Sequence, residues 1–218
     1  MIIDDRFASL LSGFDLAALE ADPGVIYAVD HDLRLSYINP AWFRFAAENG
    51  GEPQISREWA LGRFIMDAIA EELRPFFAKH FRRSLDEMRP WQHVYECSSA
   101  TRFRKHRMNA FPLEEGQGLL LSHALVLDEP MSRDSAEPDE RRFRNPQGII
   151  RQCAHCRRVE QQPPHAGWAW VPEWMARCPP QTSHGICPPC FGFYFSERQL
   201  SAAELPRPIV TEGTSRAH

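Results

Sequence analysis

The chain has 218 residues, of which 43% are hydrophobic and 25% are charged. This balance is typical of a folded globular protein and excludes a fibrous or fully disordered one. The formal net charge of -4 creates no overall positive field, so binding to nucleic acid or an anionic membrane would require a local basic patch. Since a domain averages roughly 150 residues, the length predicts one large domain and a small module.

The composition of the N-terminus predicts a cytoplasmic protein. Residues 1–24 place two aspartates directly after the first apolar residues, whereas a signal peptide begins with basic residues. No window contains the roughly 18 consecutive apolar residues that a membrane span requires. In the reducing cytoplasm, the six cysteines are expected to bind metal or to act in redox chemistry rather than to form disulfides.

The first predicted elements are a helix, a β-hairpin and a second helix. Apolar residues at three- and four-residue steps predict an amphipathic helix over residues 4–20. Residues 25–38 form two β-rich segments with a turn between them, a pattern that predicts a hairpin. Asn39 and Pro40 then predict the start of a helix that reaches Gly50, with Asn39 as its cap.

A long helix and three strands complete the first domain. Residues 71–88 place large apolar side chains on one helical face. Residues 91–99, 103–113 and 118–128 have the composition of strands. The order of elements predicts an α+β domain that ends near Asp128, with an antiparallel five-stranded sheet and helices on one face.

The composition changes after this domain. Residues 129–147 are rich in proline and charge, which predicts a linker. Residues 148–200 are rich in cysteine and tryptophan and are predicted to form a separate module, followed by a flexible tail over residues 201–218.

Four cysteines of the module are spaced as metal ligands. Cys153 and Cys156 form one C-x2-C pair, Cys187 and Cys190 form a second, and 30 residues separate the pairs. Two such pairs supply the tetrahedral set of a structural Zn²⁺ site, with Zn–S distances of about 2.3 Å. We therefore predict a zinc-ribbon-like module, while an iron–sulfur cluster or redox use of one pair remains an alternative.

A segment of this size needs a stabilising metal site, because about 50 residues bury too little apolar surface to fold alone. Five aromatic residues are predicted to form its small core: Trp168, Trp170, Trp174, Phe191 and Tyr194.

Other cysteines and histidines lie near the two pairs in the sequence or could act as ligands. Cys178 has no second cysteine at C-x2-C spacing and is interpreted as a free thiol. His184 is interpreted as ordering the turn of the second C-x2-C pair by hydrogen bonding. Whether either takes part in metal binding is left open. His155 is expected to point to solvent, and Cys97 to behave as a small core residue.

Three further features could form binding sites, and the first two have a simpler structural interpretation. His80 is a possible haem ligand, but its basic neighbours predict a solvated helix face. His93 and Tyr95 alternate on one face of a strand, where an exposed face is favoured over a polar pocket. The basic residues that could bind nucleic acid are Arg141, Arg142, Arg144, Arg151, Arg157 and Arg158.

The first 128 residues resemble a PAS domain, and the residues that carry this resemblance are "GVIYAVDHDLRLSYINPAWFRFAAENG". The C-terminal segments "CAHCRRV", "GWAWVPEW" and "SHGICPPC" resemble a cysteine-rich segment that follows sensory domains in some bacterial signalling proteins. The resemblance implies a sensory role, since PAS domains bind small ligands between sheet and helices. They also pair with other domains through the sheet face and the N-terminal helix.

The sequence contains no Gly-rich phosphate loop, no G-x-S-x-G elbow and no H-E-x-x-H motif, so we expect no enzyme activity. We expect a non-catalytic signalling sensor or adaptor that contacts a protein partner, or a second copy, through the N-terminal helix and the sheet. The PAS ligand stays unknown. One alternative is a regulator that binds nucleic acid through the Arg-rich zinc module, although nucleic acid is a less expected partner than protein. The other is a haem or redox sensor.

Overall fold

The structure is a computed structural model that describes residues 2–4 and 7–195. The predicted tail, residues 201–218, and the last residues of the predicted module lie outside the described residues. Within the described ranges, no helix combines the length and the apolar composition needed to cross a bilayer.

The first sheet is antiparallel and has six strands in the order β1-β3-β2-β6-β5-β4. The strands are β1 (Ile2–Ile3), β2 (Val25–Asp30), β3 (Leu35–Ile38), β4 (Trp91–Glu96), β5 (Arg102–Pro112) and β6 (Gly118–Pro130). The α+β fold and the antiparallel sheet are therefore confirmed. The expected number of five strands was too small, because β1 is only two residues long and has no recognisable period.

One face of this sheet is covered by helices, as predicted. The helices of the domain are α1 (Leu16–Ala21), α2 (Pro40–Glu48), α3 (Gln54–Glu58) and α4 (Arg74–Glu87). The apolar face of α4 buries Phe77 and Phe81 in the same cluster as Leu119 and Leu121 of β6. The helix ends where Met88 adopts a left-handed conformation with φ 53°.

The N-terminal segment differs from the single helix predicted over residues 4–20. A short 3₁₀ turn, Ala8–Leu11, is followed by a break, and α1 begins after Asp15, whose side chain accepts a hydrogen bond from the Ala18 N–H at 3.1 Å. Phe7 and Leu11 lie in a cluster with Ala28 and Leu120 on the face of the sheet opposite to α4. This segment therefore covers the second face of the sheet, where no helix was expected.

Asn39 occupies the N-cap position of α2 as predicted, and α2 begins at Pro40, but the Asn39 side chain makes no capping hydrogen bond. The Asn39 side chain is fully buried and is hydrogen-bonded to the chain that precedes the hairpin. Its Oδ1 accepts from the Ile26 N–H at 3.0 Å, and its Nδ2 donates to the Gly24 carbonyl at 2.9 Å. A buried amide is stabilised by satisfying its donors and acceptors, so Asn39 holds the entry to β2.

A smaller sheet forms in the C-terminal part, in the order β10-β7-β8-β9. The helices and strands of this C-terminal part are α5 (Glu140–Phe143), β7 (Ile150–Cys153), β8 (Val159–Glu160), β9 (Trp168–Ala169), α6 (Glu173–Ala176), β10 (Thr182–Gly185) and α7 (Pro188–Phe195). The core of this part contains Phe143, Ile150 and Trp174. Phe143 comes from residues 129–147, which were predicted to be a linker, and its side chain is fully buried.

Candidate functional site

The four predicted cysteines meet in one buried cluster. The sulfur atoms of Cys153, Cys156, Cys187 and Cys190 all lie within 4.8 Å of one another. The first pair flanks the turn between β7 and β8, and the second stands at the start of α7. Because β10 runs parallel to β7 with Gly185 opposite Cys153, the two pairs are aligned at the same edge. The four thiols are thus positioned to bind a metal ion.

The dimensions of this cluster match a tetrahedral ion. Sulfur atoms at about 2.3 Å from a central Zn²⁺ would lie roughly 3.8 Å apart. The Sγ atoms of Cys156 and Cys187 are 3.6 Å apart. With all four sulfurs within 4.8 Å of one another, the residues present fit a four-sulfur metal site.

Hydrogen bonds within the cluster stabilise the Cys153 sulfur as a thiolate. The Cys187 N–H donates to the Cys153 sulfur at 3.5 Å. Hydrogen bonds from Cys156 and Cys190 hold the pKa of the Cys153 thiol below its usual range, while the hydrogen bond to Cys153, and then burial, raises the pKa of the Cys156 thiol to about 12. Neighbouring thiolates repel one another, so complete deprotonation of the cluster requires a bound cation.

His155 does not point to solvent, and this prediction was wrong. Its Nδ1 lies 3.3 Å from the Cys190 sulfur, while its Nε2 accepts a hydrogen bond from the Glu96 N–H at 3.2 Å. Because Nε2 is the acceptor, the neutral ring carries its proton on Nδ1, toward the sulfur. Burial lowers the pKa of His155. The ring therefore joins the cluster to strand β4 of the first domain.

The other weighed residues lie outside the cluster. Cys178 Sγ donates to Gln152 Oε1 at 3.1 Å, and the His184 side chain is exposed on β10. Cys97 is half-buried directly after β4, and burial raises the pKa of its thiol. None of the three is brought to the four sulfurs.

The predicted aromatic core of the module divides between different surroundings. Trp174 lies in the core of the C-terminal part, and Trp170 is also buried there. Phe191 is 58% exposed. Tyr194 is only 3% exposed and belongs to the core of the first domain, where its ring makes an edge contact with Phe76 at 5.0 Å. The module is therefore joined to the first domain by an apolar side chain of its own.

A cavity of about 870 Å³ lies beside this junction, between α2 and the sheet. Its walls include the aromatic rings of Tyr27, Trp42, Phe45 and Tyr95. Its volume is within the range of small-molecule sites, which are mostly apolar with a few polar groups.

Three residues that line the cavity have a buried ring nitrogen without a hydrogen-bond partner among the described residues. These atoms are Trp42 Nε1, His106 Nδ1 and His123 Nε2. The other nitrogen of His123 is 2.8 Å from the Tyr95 hydroxyl. Burial lowers the pKa of His106 and lowers that of His123 to about 4, so both rings are neutral at pH 7. These residues were not identified from the sequence, since Trp42 lies on α2 and the two histidines lie on different strands, with no common spacing.

Two histidines that were predicted to be exposed are buried instead. His80 is 6% exposed and stacks on Trp91 at 4.6 Å with an angle of 4° between the rings. It does not line the cavity. His93 is 7% exposed, and burial lowers its pKa to about 3. The sequence-based preference for an exposed strand face was therefore wrong, because α4 and Tyr194 cover this part of β4.

Several arginines of the predicted basic run are bound within the chain. Arg142 Nε donates to Gln161 at 2.7 Å, Arg144 pairs with Glu140, and Arg151 lies 3.6 Å from Glu160. These contacts offset part of the charge that a phosphate backbone would need.

No protein-family model matches the chain, and no curated protein matches it. Solved structures that match part of it are PAS domains. The PAS domain of BvgS from Bordetella pertussis is 16% identical, with 57% of this chain and 88% of that chain covered and a TM-score of 0.41. A photoactive yellow protein domain of the sensor histidine kinase Ppr from Rhodospirillum centenum is 14% identical, with 52% and 95% covered and a TM-score of 0.37. The PAS domain of an HTR-like protein from Haloarcula marismortui is 24% identical, with 56% and 100% covered and a TM-score of 0.32.

Proposed function

We propose that this chain is a non-catalytic sensor that binds a small molecule in the cavity of its N-terminal domain and holds its C-terminal module with a structural zinc ion. The bound state is passed on by contact with a protein partner. The observation that carries this proposal is a cavity of about 870 Å³ that combines aromatic walls with three ring nitrogens that have no hydrogen-bond partner in the described part of the chain.

The unpartnered nitrogens support a bound ligand rather than a chance void. A buried polar group without a hydrogen bond costs about 1–3 kcal/mol, and a ligand that supplies the missing partners removes this cost. The nitrogens belong to Trp42, His106 and His123, which come from three different elements around one space. Their placement therefore favours a molecule that bridges them.

The chemistry of the walls limits the kind of ligand. Trp42 Nε1 can only donate, so the ligand needs at least one hydrogen-bond acceptor. His106 and His123 are neutral at pH 7 because burial lowers their pKa values, and a neutral imidazole does not compensate a buried charge. The edges and faces of Tyr27 and Tyr95 favour a flat ring system. We infer a flat molecule with hydrogen-bonding groups that is uncharged where it faces these two histidines.

The four-cysteine cluster supports the zinc part of the proposal. Four sulfurs complete a tetrahedral shell and leave no position for water or substrate, so an ion there stabilises structure and does not catalyse. Cys156 and Cys187 have the sulfur spacing that zinc requires.

The contact with a partner is assigned to the sheet rather than to the N-terminal helix. The apolar residues of the N-terminal segment, Phe7 and Leu11, are buried against the chain's own sheet. Val94 on β4 and Phe111 on β5 are each 39% exposed and remain available.

The cavity is tested with N-phenyl-1-naphthylamine, an uncharged aromatic dye that fluoresces in apolar surroundings. We expect the purified chain to bind it with about 1:1 stoichiometry. Ala46 on α2 lines the cavity and is 7% exposed, so Ala46→Phe should weaken dye binding at least about tenfold by filling the space.

The matched control is Ala47→Phe, which adds the same side chain at the exposed neighbouring position on α2. It should bind the dye as the original chain does. Equal dye affinity of the Ala46→Phe variant and its control would contradict a ligand site in this cavity.

A further inference from the structure

The metal cluster and the ligand cavity share a wall. Three residues of the C-terminal module, Ala154, His155 and Tyr194, line the cavity together with Glu96 of the first domain. Ala154 and His155 are the two residues between the cysteines of the first C-x2-C pair. The turn that presents sulfur to a metal on one side therefore faces the cavity on the other.

His155 makes a direct connection between the two sites. One ring nitrogen is 3.3 Å from the sulfur of Cys190, and the other accepts from the Glu96 N–H at 3.2 Å. The ring also stacks on Phe193 with an angle of 11° and meets the edge of Tyr194 at 4.9 Å. Its orientation toward the cavity thus depends on a metal ligand.

Helix α7 makes a second connection. Cys190 and Tyr194 are its buried residues and lie four positions apart, so they share one helical face. Tyr194 inserts between Phe76 and His93, at ring distances of 5.0 and 5.4 Å. The sulfur of Cys190 therefore determines where the helix delivers Tyr194 to the cavity wall.

An ion pair between Arg133 and Glu96 makes a third connection between the two parts of the chain. The Arg133 guanidinium donates to both carboxylate oxygens of Glu96, at 2.7 and 2.6 Å, and the two side chains are 17% and 11% exposed. Arg133 also lies over the rings of Phe103 and Trp170, at 5.0 and 5.3 Å. This clamp holds the module against the edge of the cavity, so a movement of the module changes that edge.

We propose that metal binding at the four cysteines and ligand binding in the cavity are coupled, so that the chain binds its ligand tightly only when the metal is present. The inference rests on the proposed function, since it concerns the ligand of that same cavity. Without the ion, the first C-x2-C turn and the start of α7 lose their common anchor. Ala154, His155 and Tyr194 then no longer close the cavity, and water enters the apolar space. The chain thereby senses its ligand and the availability of the metal together.

Such coupling is reciprocal, because a ligand that favours the closed state must also favour the metal that closes it. We expect the Kd of N-phenyl-1-naphthylamine to rise about tenfold or more when a chelator removes zinc from the full chain. Saturating dye should tighten zinc binding, measured against a competing chelator, by the same factor. Coupling of this size lies within the usual range of about 5–150-fold between two sites.

The two proposals fail in different ways. If neither the zinc-loaded nor the zinc-free chain binds the dye, the proposed ligand cavity and this coupling are both overturned. If both forms bind the dye with Kd values within about twofold, the cavity stands and the coupling is overturned.

A variant separates the connection from simple unfolding of a metal-free module. His155→Ala keeps all four cysteines and should still bind one zinc ion, yet its dye affinity should fall several-fold and its zinc affinity should respond more weakly to the dye, since only the connection through α7 remains. His184→Ala is the matched control, since this histidine is exposed and lies three residues before Cys187. It should behave as the original chain does. Full reciprocal coupling in the zinc-loaded His155→Ala variant would overturn the route through His155.

Discussion

The two folded regions are held together in different ways. Among the described residues, the larger of the two buried clusters of the N-terminal domain contains nineteen, one of which, Tyr194, comes from the C-terminal module. The apolar core of the C-terminal part contains five. Burial of apolar surface stabilises a fold in proportion to area, so the first domain is held by its core. The module has a small core of its own, so we expect its stability to depend on a metal ion at the sulfur cluster and on its contacts with the first domain.

Removing one sulfur should break the module and leave the domain intact. We expect Cys153→Ser to lose the zinc ion, because three sulfurs leave an incomplete shell, and metal binding can contribute on the order of 10 kcal/mol to such a fold. Limited proteolysis should then cleave within residues 148–195 while residues 25–130 remain protected. Elemental analysis measures the metal directly.

The control is Cys178→Ser, which removes a cysteine whose sulfur bonds to Gln152 outside the cluster. It should keep the metal and the proteolytic pattern of the original chain. Unchanged metal content in the Cys153→Ser variant would refute the assignment of the cluster.

Truncating the shared tyrosine should weaken the domain rather than the metal site. Tyr194→Ala leaves a cavity among Phe76, Phe77 and His93, and loss of a buried aromatic ring costs about 3–5 kcal/mol. Urea unfolding of the first domain should report this loss, with zinc stoichiometry unchanged.

Phe191→Ala provides the comparison on the same helix, since Phe191 is 58% exposed. Its effect should stay within about 0.5 kcal/mol. Equal stability of the Tyr194→Ala and Phe191→Ala variants would show that the module does not support the domain core.

Acid should destabilise the domain through its buried histidines. Burial, and then the proximity of His106, lowers the pKa of His123 from 6.5 to about 4. Between pH 6.5 and about 4, His123 is therefore protonated in the unfolded chain and neutral in the folded chain. The stability is fully present above pH 6.5 and falls as the pH is lowered toward about 4, by about 1.4 kcal/mol per pH unit for this group.

This pH dependence is measured by comparing the original chain with His123→Phe in urea at pH 7.5 and 5.0. Both proteins retain the four cysteines, so the pH dependence of metal binding cancels in the difference. The original chain should lose about 2 kcal/mol more than the variant between the two conditions. Parallel losses in the two proteins would mean that His123 is not buried in its neutral form.

Much of the fold was predictable because its signals are local. The apolar face of α4 repeats with the helical period, and the strands on either side have β-rich compositions bounded by turn residues. The break between Leu11 and Leu16 was missed, since a helical period continued across it while Asp15 capped a new helix. The sequence pattern does not show which of two compatible structures the tertiary contacts select.

The candidate site was predictable only in part. The two C-x2-C pairs identify the four thiols, because such turns place sulfurs for one ion. The cavity was not predictable, since Trp42, His106 and His123 belong to separate elements with no common spacing. His155 and Tyr194 were assigned to solvent and to the module core, although both reach the first domain.

The sequence by itself determined the order of the main helices and strands of the first domain, the α+β class and the four thiols that converge in the module. Only the tertiary structure decided that residues of the module line the cavity of the first domain. Local periodicity reports which face of an element is apolar, whereas the hydrogen bond from Glu96 to His155 joins positions that are 59 residues apart. A contact of that kind depends on how two complete surfaces fit together, and no short segment encodes it.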